Sequence, residues 1–132
     1  MRRVKSTDDV IAASSFHLGG VYVWAQVRDV RDDGNHLLIA RDEKEITVVT
    51  APEHLASLDI IETNRDRWLL LSIDCANPFY CVGFISKVAE RLSAAGIDIL
   101  TVSTFSRDLF FVKEEEGQRA AAILRDMGFL SS

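Results

Sequence analysis

Apolar positions along this chain recur in two periods, and the alternation between them gives an order of elements. Thr7 or Asp8 can cap a short helix in which Val10, Ile11 and Ser14 share a face; Gly19-Gly20 is then expected to end it and release a strand over Val21 to Val27. Arg28 to His36, with Asp32, Asp33, Gly34 and Asn35, has no periodicity and reads as a polar turn. Leu37 to Ala40 and Ile46 to Thr50 are apolar runs rich in β-branched residues, joined by Arg41-Asp42-Glu43-Lys44-Glu45, so a hairpin is expected. Pro52 suits the first position of a helix capped by Thr50 or Ala51, carrying Leu55 and Leu58 and stopping near Asp59. Glu62 to Arg67 is a polar link.

The following pattern is more regular. Trp68 to Asp74 is a strand whose Leu69-Leu70-Leu71 run predicts burial on both faces. After the loop Cys75 to Cys81, Val82, Ile85, Val88, Ala89, Leu92 and Ala95 recur at three- and four-residue spacing, with Lys87, Glu90 and Arg91 facing away, and Gly96 is a good left-handed terminator. Ile97 to Thr104 and Leu109 to Lys113 read as strands. Glu114 to Glu116 favour a helix N-terminus, and Ala120, Ile123, Leu124 and Met127 are its expected inner face before Gly128. Strand, helix, strand, strand, helix is the order of a ferredoxin-like split βαβ unit. Only Phe129-Leu130-Ser131-Ser132 remain for its last strand, so an edge strand supplied from elsewhere in the chain, Val21 to Val27, is expected. An internal repeat links the halves: at one common offset Leu38-Ile39-Ala40-Arg41 lies over Thr101-Val102-Ser103-Thr104, and Ile46-Thr47-Val48-Val49 over Leu109-Phe110-Phe111-Val112. The similarity is one of residue character.

Composition narrows the functional classes. The 132 residues are 48% hydrophobic, enough for a chain of this size to bury roughly two-thirds of its unfolded surface without a disulfide or metal. Fifteen Lys and Arg against twenty Asp and Glu leave a net charge of -5, which disfavours extended contact with nucleic acid or an anionic membrane. The basic start Met1-Arg2-Arg3-Val4-Lys5 is followed by Ser-Thr-Asp-Asp instead of an apolar stretch, and no run approaches a membrane span, so a cytoplasmic protein is expected. Cys75 and Cys81 form no CxxC and have no His nearby; they read as free thiols in a reducing compartment, with one disulfide as the alternative. His17, His36 and His54 are scattered without metal-ligand spacing and are expected in solvated or capping roles. Trp24 and Trp68 read as core or interface anchors.

Three stretches together resemble the small tandem ACT-domain proteins of the amino-acid-sensor type, related in architecture to the regulatory region of aspartate kinase. They are Leu38 to Val49, with an acidic residue before a Thr-containing β-run; Trp68, Gly83-Phe84-Ile85 and Leu92-Ser93-Ala94-Ala95-Gly96-Ile97; and Val102-Ser103-Thr104-Phe105-Ser106-Arg107-Asp108 with the closing Ala122 to Phe129. The resemblance covers roughly residues 20 to 129 and implies an α+β, ferredoxin-like (βαββαβ) ACT fold with two ACT-like units in tandem, residues 1–64 and 65–132. It implies a non-catalytic regulatory module without cofactor or metal, a homodimer, and a free amino acid bound where two ACT units pack side by side.

Carried over residue by residue, the resemblance points to a ligand site at Asn77, Val82, Gly83, Ser103, Thr104 and Asp108. Gly83 near a helix N-terminus lets backbone N–H groups approach a carboxylate, and Asp108 can receive an ammonium or a basic side chain. Each residue also has an ordinary structural reading. Asp108 suits a hairpin connection, Ser103 and Thr104 a strand end, and Gly83 close helix packing, while Phe79 and Tyr80 are expected to plug the core beneath their loop. The competing function is a dimerisation or partner-binding protein without a small ligand. An enzyme is disfavoured, because Cys75 to Val82 contains no Lys or Arg for a phosphate and no His/Asp pair accompanies a nucleophile.

Overall fold

The computed structural model describes residues 6–132, so the basic start Met1 to Lys5 lies outside the described residues. The elements are α1 (Thr7–Ala13), β1 (Ser15–Val27), β2 (Leu38–Arg41), β3 (Ile46–Thr50), a 3-10 helix (Pro52–Ser57), β4 (Ile60–Thr63), β5 (Trp68–Asp74), α2 (Phe84–Ala94), β6 (Ile99–Ser103), β7 (Arg107–Lys113), α3 (Gly117–Met127) and β8 (Leu130–Ser131), with a 3-10 turn over Glu114–Glu116. They form two compact units: the described residues up to Gly19 with Leu69–Ser132, and Gly20–Trp68.

The first unit contains the complete βαββαβ order, β5, α2, β6, β7, α3 and β8. Its strands run β1, β5, β7, β6, with β8 pairing parallel to β1 through Ser15 with Leu130 and Phe16 with Ser131. The borrowed edge strand expected from the shortness of the C-terminus is therefore present. It is the start of β1 and not Val21 to Val27, because the chain is already extended at Ser14 and β1 passes straight through Gly19-Gly20. The two glycines do not end the helix; α1 closes at Ala13, and Gly19 is small because a Cβ there would come within 2.9 Å of Leu70 Cδ2 and 3.2 Å of its Cβ. Ser6 caps α1 through a reciprocal bond with Asp9. The core gathers Val10, Ile11, Phe16, Leu71, Ile73, Phe110 and Val112 under Val88 and Leu92 of α2 and Ala120 and Leu124 of α3.

These units do not coincide with the expected division at residue 64. The first nineteen residues lie with the C-terminal part because Val10, Ile11 and Phe16 are buried in its core and Ser15-Phe16 pair with its last strand. Helix α2 begins at Phe84, two residues after the expected Val82, and its inner face is Phe84, Val88 and Leu92, whereas Ile85 is partly exposed. Gly96 and Gly128 terminate α2 and α3 with φ of +75° and +110°, as their positions predict.

The second unit places β1 from Gly20 onward antiparallel to both β3 and β4, with β2 pairing β3, over a core of Ala25, Val27 and Val48. It retains the strands of a βαββαβ unit while the polar segment after Val27 replaces the first helix and the 3-10 helix stands for the second. Strand β4 lies partly in the segment expected to be a polar link. The repeated hairpins are both present, with one difference: Leu38 pairs with Val49, whereas its counterpart Thr101 pairs with Phe110 instead of Val112. A slip of two residues keeps every side chain on its face, which is why the repeat tolerates it. His36 is not solvated; its side chain is 2% exposed, with Nδ1 2.9 Å from Thr50 Oγ1. Trp24 and Trp68 meet edge to face at 6.4 Å, and Trp68 Nε1 donates to Asn64 Oδ1 at 3.1 Å, an anchoring arrangement.

Candidate functional site

In the first unit, the loop between β5 and α2 faces the turn between β6 and β7 across a cleft of about 230 Å³. The β5 end is fixed from two sides. Ala76 N–H donates to Ser14 Oγ at 2.9 Å, and Thr7 Oγ1 donates to the Val82 carbonyl at 2.9 Å, so α1 holds both ends of the loop. Within it Asn77 Nδ2 donates to the Tyr80 carbonyl at 3.3 Å, and Phe79 sits at φ +69°, in the left-handed region that bulky residues rarely enter. Across the cleft, Thr104 N–H donates to the Arg107 carbonyl at 2.8 Å and closes the β6–β7 turn, which leaves Phe105 at its tip, 83% exposed.

The opposing walls differ in chemistry. The Phe79 and Phe105 rings meet edge to face at 5.1 Å while remaining largely in solvent. Ser103 and Asp108 are directly paired across the hairpin, and Ser103 Oγ donates to Asp108 Oδ1 at 2.7 Å, which orients the carboxylate and leaves Oδ2 to an incoming donor. Helix α2 opens at the cleft with Phe84 and Ile85 in its lining. Its N-cap is Gly83 at φ +82°, which supplies no side-chain cap, so the first-turn N–H groups have no side-chain acceptor there. Burial raises both cleft thiols, Cys75 and Cys81, above their ordinary pKa, and the neighbouring Asp108 carboxylate adds to the rise. Both are free, which leaves no disulfide between them, and neither is activated as a nucleophile.

Four of the six sequence-selected residues, Asn77, Ser103, Thr104 and Asp108, line this one cleft. Val82 and Gly83 stand beside it: Val82 is 94% exposed, and Gly83 acts through its backbone conformation. The expectation that Phe79 and Tyr80 plug the core is overturned, since they are 69% and 82% exposed. A five-residue loop bulge anchored to α1 carries their rings outward. Phe105 and Arg107, outside the six residues expected from the sequence, also line the cleft; the sequence signal for Phe105 is an aromatic in a tight strand connection, where no core is in reach.

A larger concavity of about 510 Å³ lies in the second unit beside Trp24, Gln26, Glu45 and Glu62, as an open trough on the sheet face. Among the described residues no group of three His, Cys, Asp or Glu side chains could hold a metal ion, and no helix is long and apolar enough to cross a membrane.

Residues 64–126 match the family model of the ACT domain. No curated protein matches the sequence. Among solved structures the chain is similar to a protein of unknown function from Vibrio cholerae, at 22% identity and a TM-score of 0.77 over 92% of this chain and 94% of that one. A protein from Agrobacterium tumefaciens is 20% identical, with a TM-score of 0.65 over 89% of this chain and 92% of its own. The ligand-free regulatory subunit of aspartate kinase from Thermus thermophilus is 11% identical, with a TM-score of 0.62 over 85% of this chain and 95% of that one. At such identities the likeness is one of fold.

Proposed function

We propose that this protein, whose residues 64–126 match the ACT-domain model and whose fold resembles the regulatory subunit of aspartate kinase, is a non-catalytic regulatory module that binds a free amino acid. The observation that carries the reading is the cleft between the β5–α2 loop and the β6–β7 turn. There an oriented carboxylate, Asp108, and a helix opening without a side-chain cap flank a space open to solvent. Asp108 receives the ligand's ammonium through Oδ2, and the opening turn of α2 after Phe84, whose own N–H is held by the Cys81 carbonyl, receives its carboxylate, where the helix dipole favours negative charge. Packing of the cleft beside a second copy of the chain completes the enclosure, and occupancy is transmitted by the differential stability of that packing.

Isothermal titration calorimetry against the twenty amino acids tests this reading. Saturable heat from at least one of them, weakened by Asp108→Asn, is expected; silence across all twenty refutes it.

A second reading has its own support. Phe79, Tyr80, Val82 and Phe105 are large apolar residues left in solvent on one side of the first unit, the kind of patch that a protein partner covers. A dimer that forms with concentration, is weakened by Phe79→Ser with Phe105→Ser, and responds to no amino acid would favour it over sensing.

A further inference from the structure

We infer that the cleft is selective for an amino acid with an uncharged, apolar side chain; this rests on the amino-acid-binding reading and narrows it to a ligand class. The argument is one of charge matching. Among the residues that line the cleft, one acid, Asp108, and one base, Arg107, carry charge. A zwitterionic backbone already presents one ammonium and one carboxylate, which match that pair in number and sign. With Asp108 taken by the ammonium and Arg107 joining the first-turn N–H groups of α2 around the carboxylate, a charged ligand side chain would enter without a counter-charge in the lining and would lose hydration without compensation. The lining's neutral polar groups are engaged within the protein, Ser103 Oγ with Asp108, Asn77 Nδ2 with the Tyr80 carbonyl and Thr104 Oγ1 with the Arg107 carbonyl, so the larger surface left to a ligand side chain is that of the Phe79 and Phe105 rings with Phe84 and Ile85. Phe84 is buried, so that wall is rigid, whereas Phe79 and Phe105 expose ring surface that a ligand side chain would cover.

Two further observations point the same way. The volume of about 230 Å³ lies below the range of drug-sized pockets, roughly 300–1,000 Å³, and suits a single amino acid. The Phe79 and Phe105 rings stand 5.1 Å apart, so one ligand side chain can cover surface on both.

Calorimetry with leucine, isoleucine, methionine and phenylalanine, set against glycine, lysine, arginine, aspartate and glutamate, tests the inference on the intact chain. The expected result is that at least one of the four apolar amino acids binds about tenfold or more tighter than glycine and than every charged one. Phe79→Ala with Phe105→Ala should cut that preference to within about threefold of glycine, with the circular dichroism melt unchanged because both rings are exposed. N-acetylation of the preferred ligand should abolish binding by removing its ammonium. A charged amino acid as the tightest ligand, still dependent on Asp108, would overturn the apolar selectivity while leaving the amino-acid-binding reading intact. An apolar preference that survives loss of both rings would overturn the inference too, and silence from every amino acid would end both.

Discussion

Replacing Ser14 by alanine should loosen the cleft from a residue that does not line it. Ser14 is 1% exposed and joins three parts of the first unit: its N–H donates to the Ile11 carbonyl at 3.0 Å, its carbonyl accepts from Leu130 N–H at 3.0 Å, its hydroxyl donates to the Val10 carbonyl at 2.6 Å, and its Oγ accepts from Ala76 N–H at 2.9 Å. Alanine keeps the two backbone bonds and loses the two made by the hydroxyl. Val10 O is a helix-end carbonyl beside a buried hydroxyl, so its loss is felt. Ala76 is exposed, so water replaces part of what its N–H loses, and removal of the hydroxyl also recovers the cost of having buried it. The sum of two full bonds is therefore too large, and a destabilisation of about 1–2 kcal/mol is expected. For a chain of this size that lowers the melting temperature by roughly 3–10 °C. Urea denaturation followed by circular dichroism gives the global term. Hydrogen exchange at Ala76 gives the local one, and its protection should fall by more than that of core amides such as Leu71, because Ala76 loses its acceptor outright. A loss below about 0.3 kcal/mol with unchanged Ala76 exchange would refute the assignment of Ser14 as the clasp between α1 and the cleft loop.

The adjacent glycines of β1 should respond in opposite ways. Gly19→Ala puts a methyl against the Leu70 Cβ, which cannot rotate away, and should destabilise by about 1–3 kcal/mol; Gly20→Ala meets only the Tyr22 ring, at 3.6 Å or more, and should be neutral or slightly stabilising in the same denaturation assay. Burial holds both thiols above their ordinary pKa, so iodoacetamide should label each slowly at pH 7 and faster as pH rises, Cys81 ahead of the buried Cys75; rapid labelling of Cys75 at pH 7 would contradict this. The Glu45 N–H, and then the Lys44 N–H, depress the Asp42 pKa by hydrogen-bonding to its carboxylate. Its contribution is present above the unfolded carboxylate pKa and is lost as pH falls through the depressed folded value. Asp42→Ala should therefore be less stable than the parent at neutral pH, with the gap closing below about pH 4, and a gap independent of pH would sink the reasoning.

Some of this molecule is legible in the sequence because it depends on nearest neighbours. Trp68–Asp74 is a strand with both faces covered, as the triple leucine indicates, and Gly96 and Gly128 stop their helices because only glycine enters those left-handed conformations at no steric cost. The paired hairpins and the βαββαβ order of the second half follow from periodicity in the same way. Among the residues lining the cleft, Ser103, Thr104 and Asp108 belong to a motif legible within one hairpin, and Asn77 to the loop opposite.

Tertiary structure decided what depends on competition between distant partners. Whether the inner stripe of α2 starts from Val82 or Phe84 is ambiguous locally, since both stripes share Val88 and Leu92; the Phe84 ring meeting Phe129 edge to face at 5.7 Å selects the latter. The residues before Gly20 could join either unit by pattern alone, and the burial of Phe16 with the Ser15–Leu130 pairing settles them in the first. The outward position of Phe79 and Phe105, and with it the apolar mouth of the cleft, is invisible to a rule that places aromatic residues inside. Hydrophobicity along a chain says how much apolar surface must be covered, and only the packed fold determines which of it is left for a ligand or partner to cover.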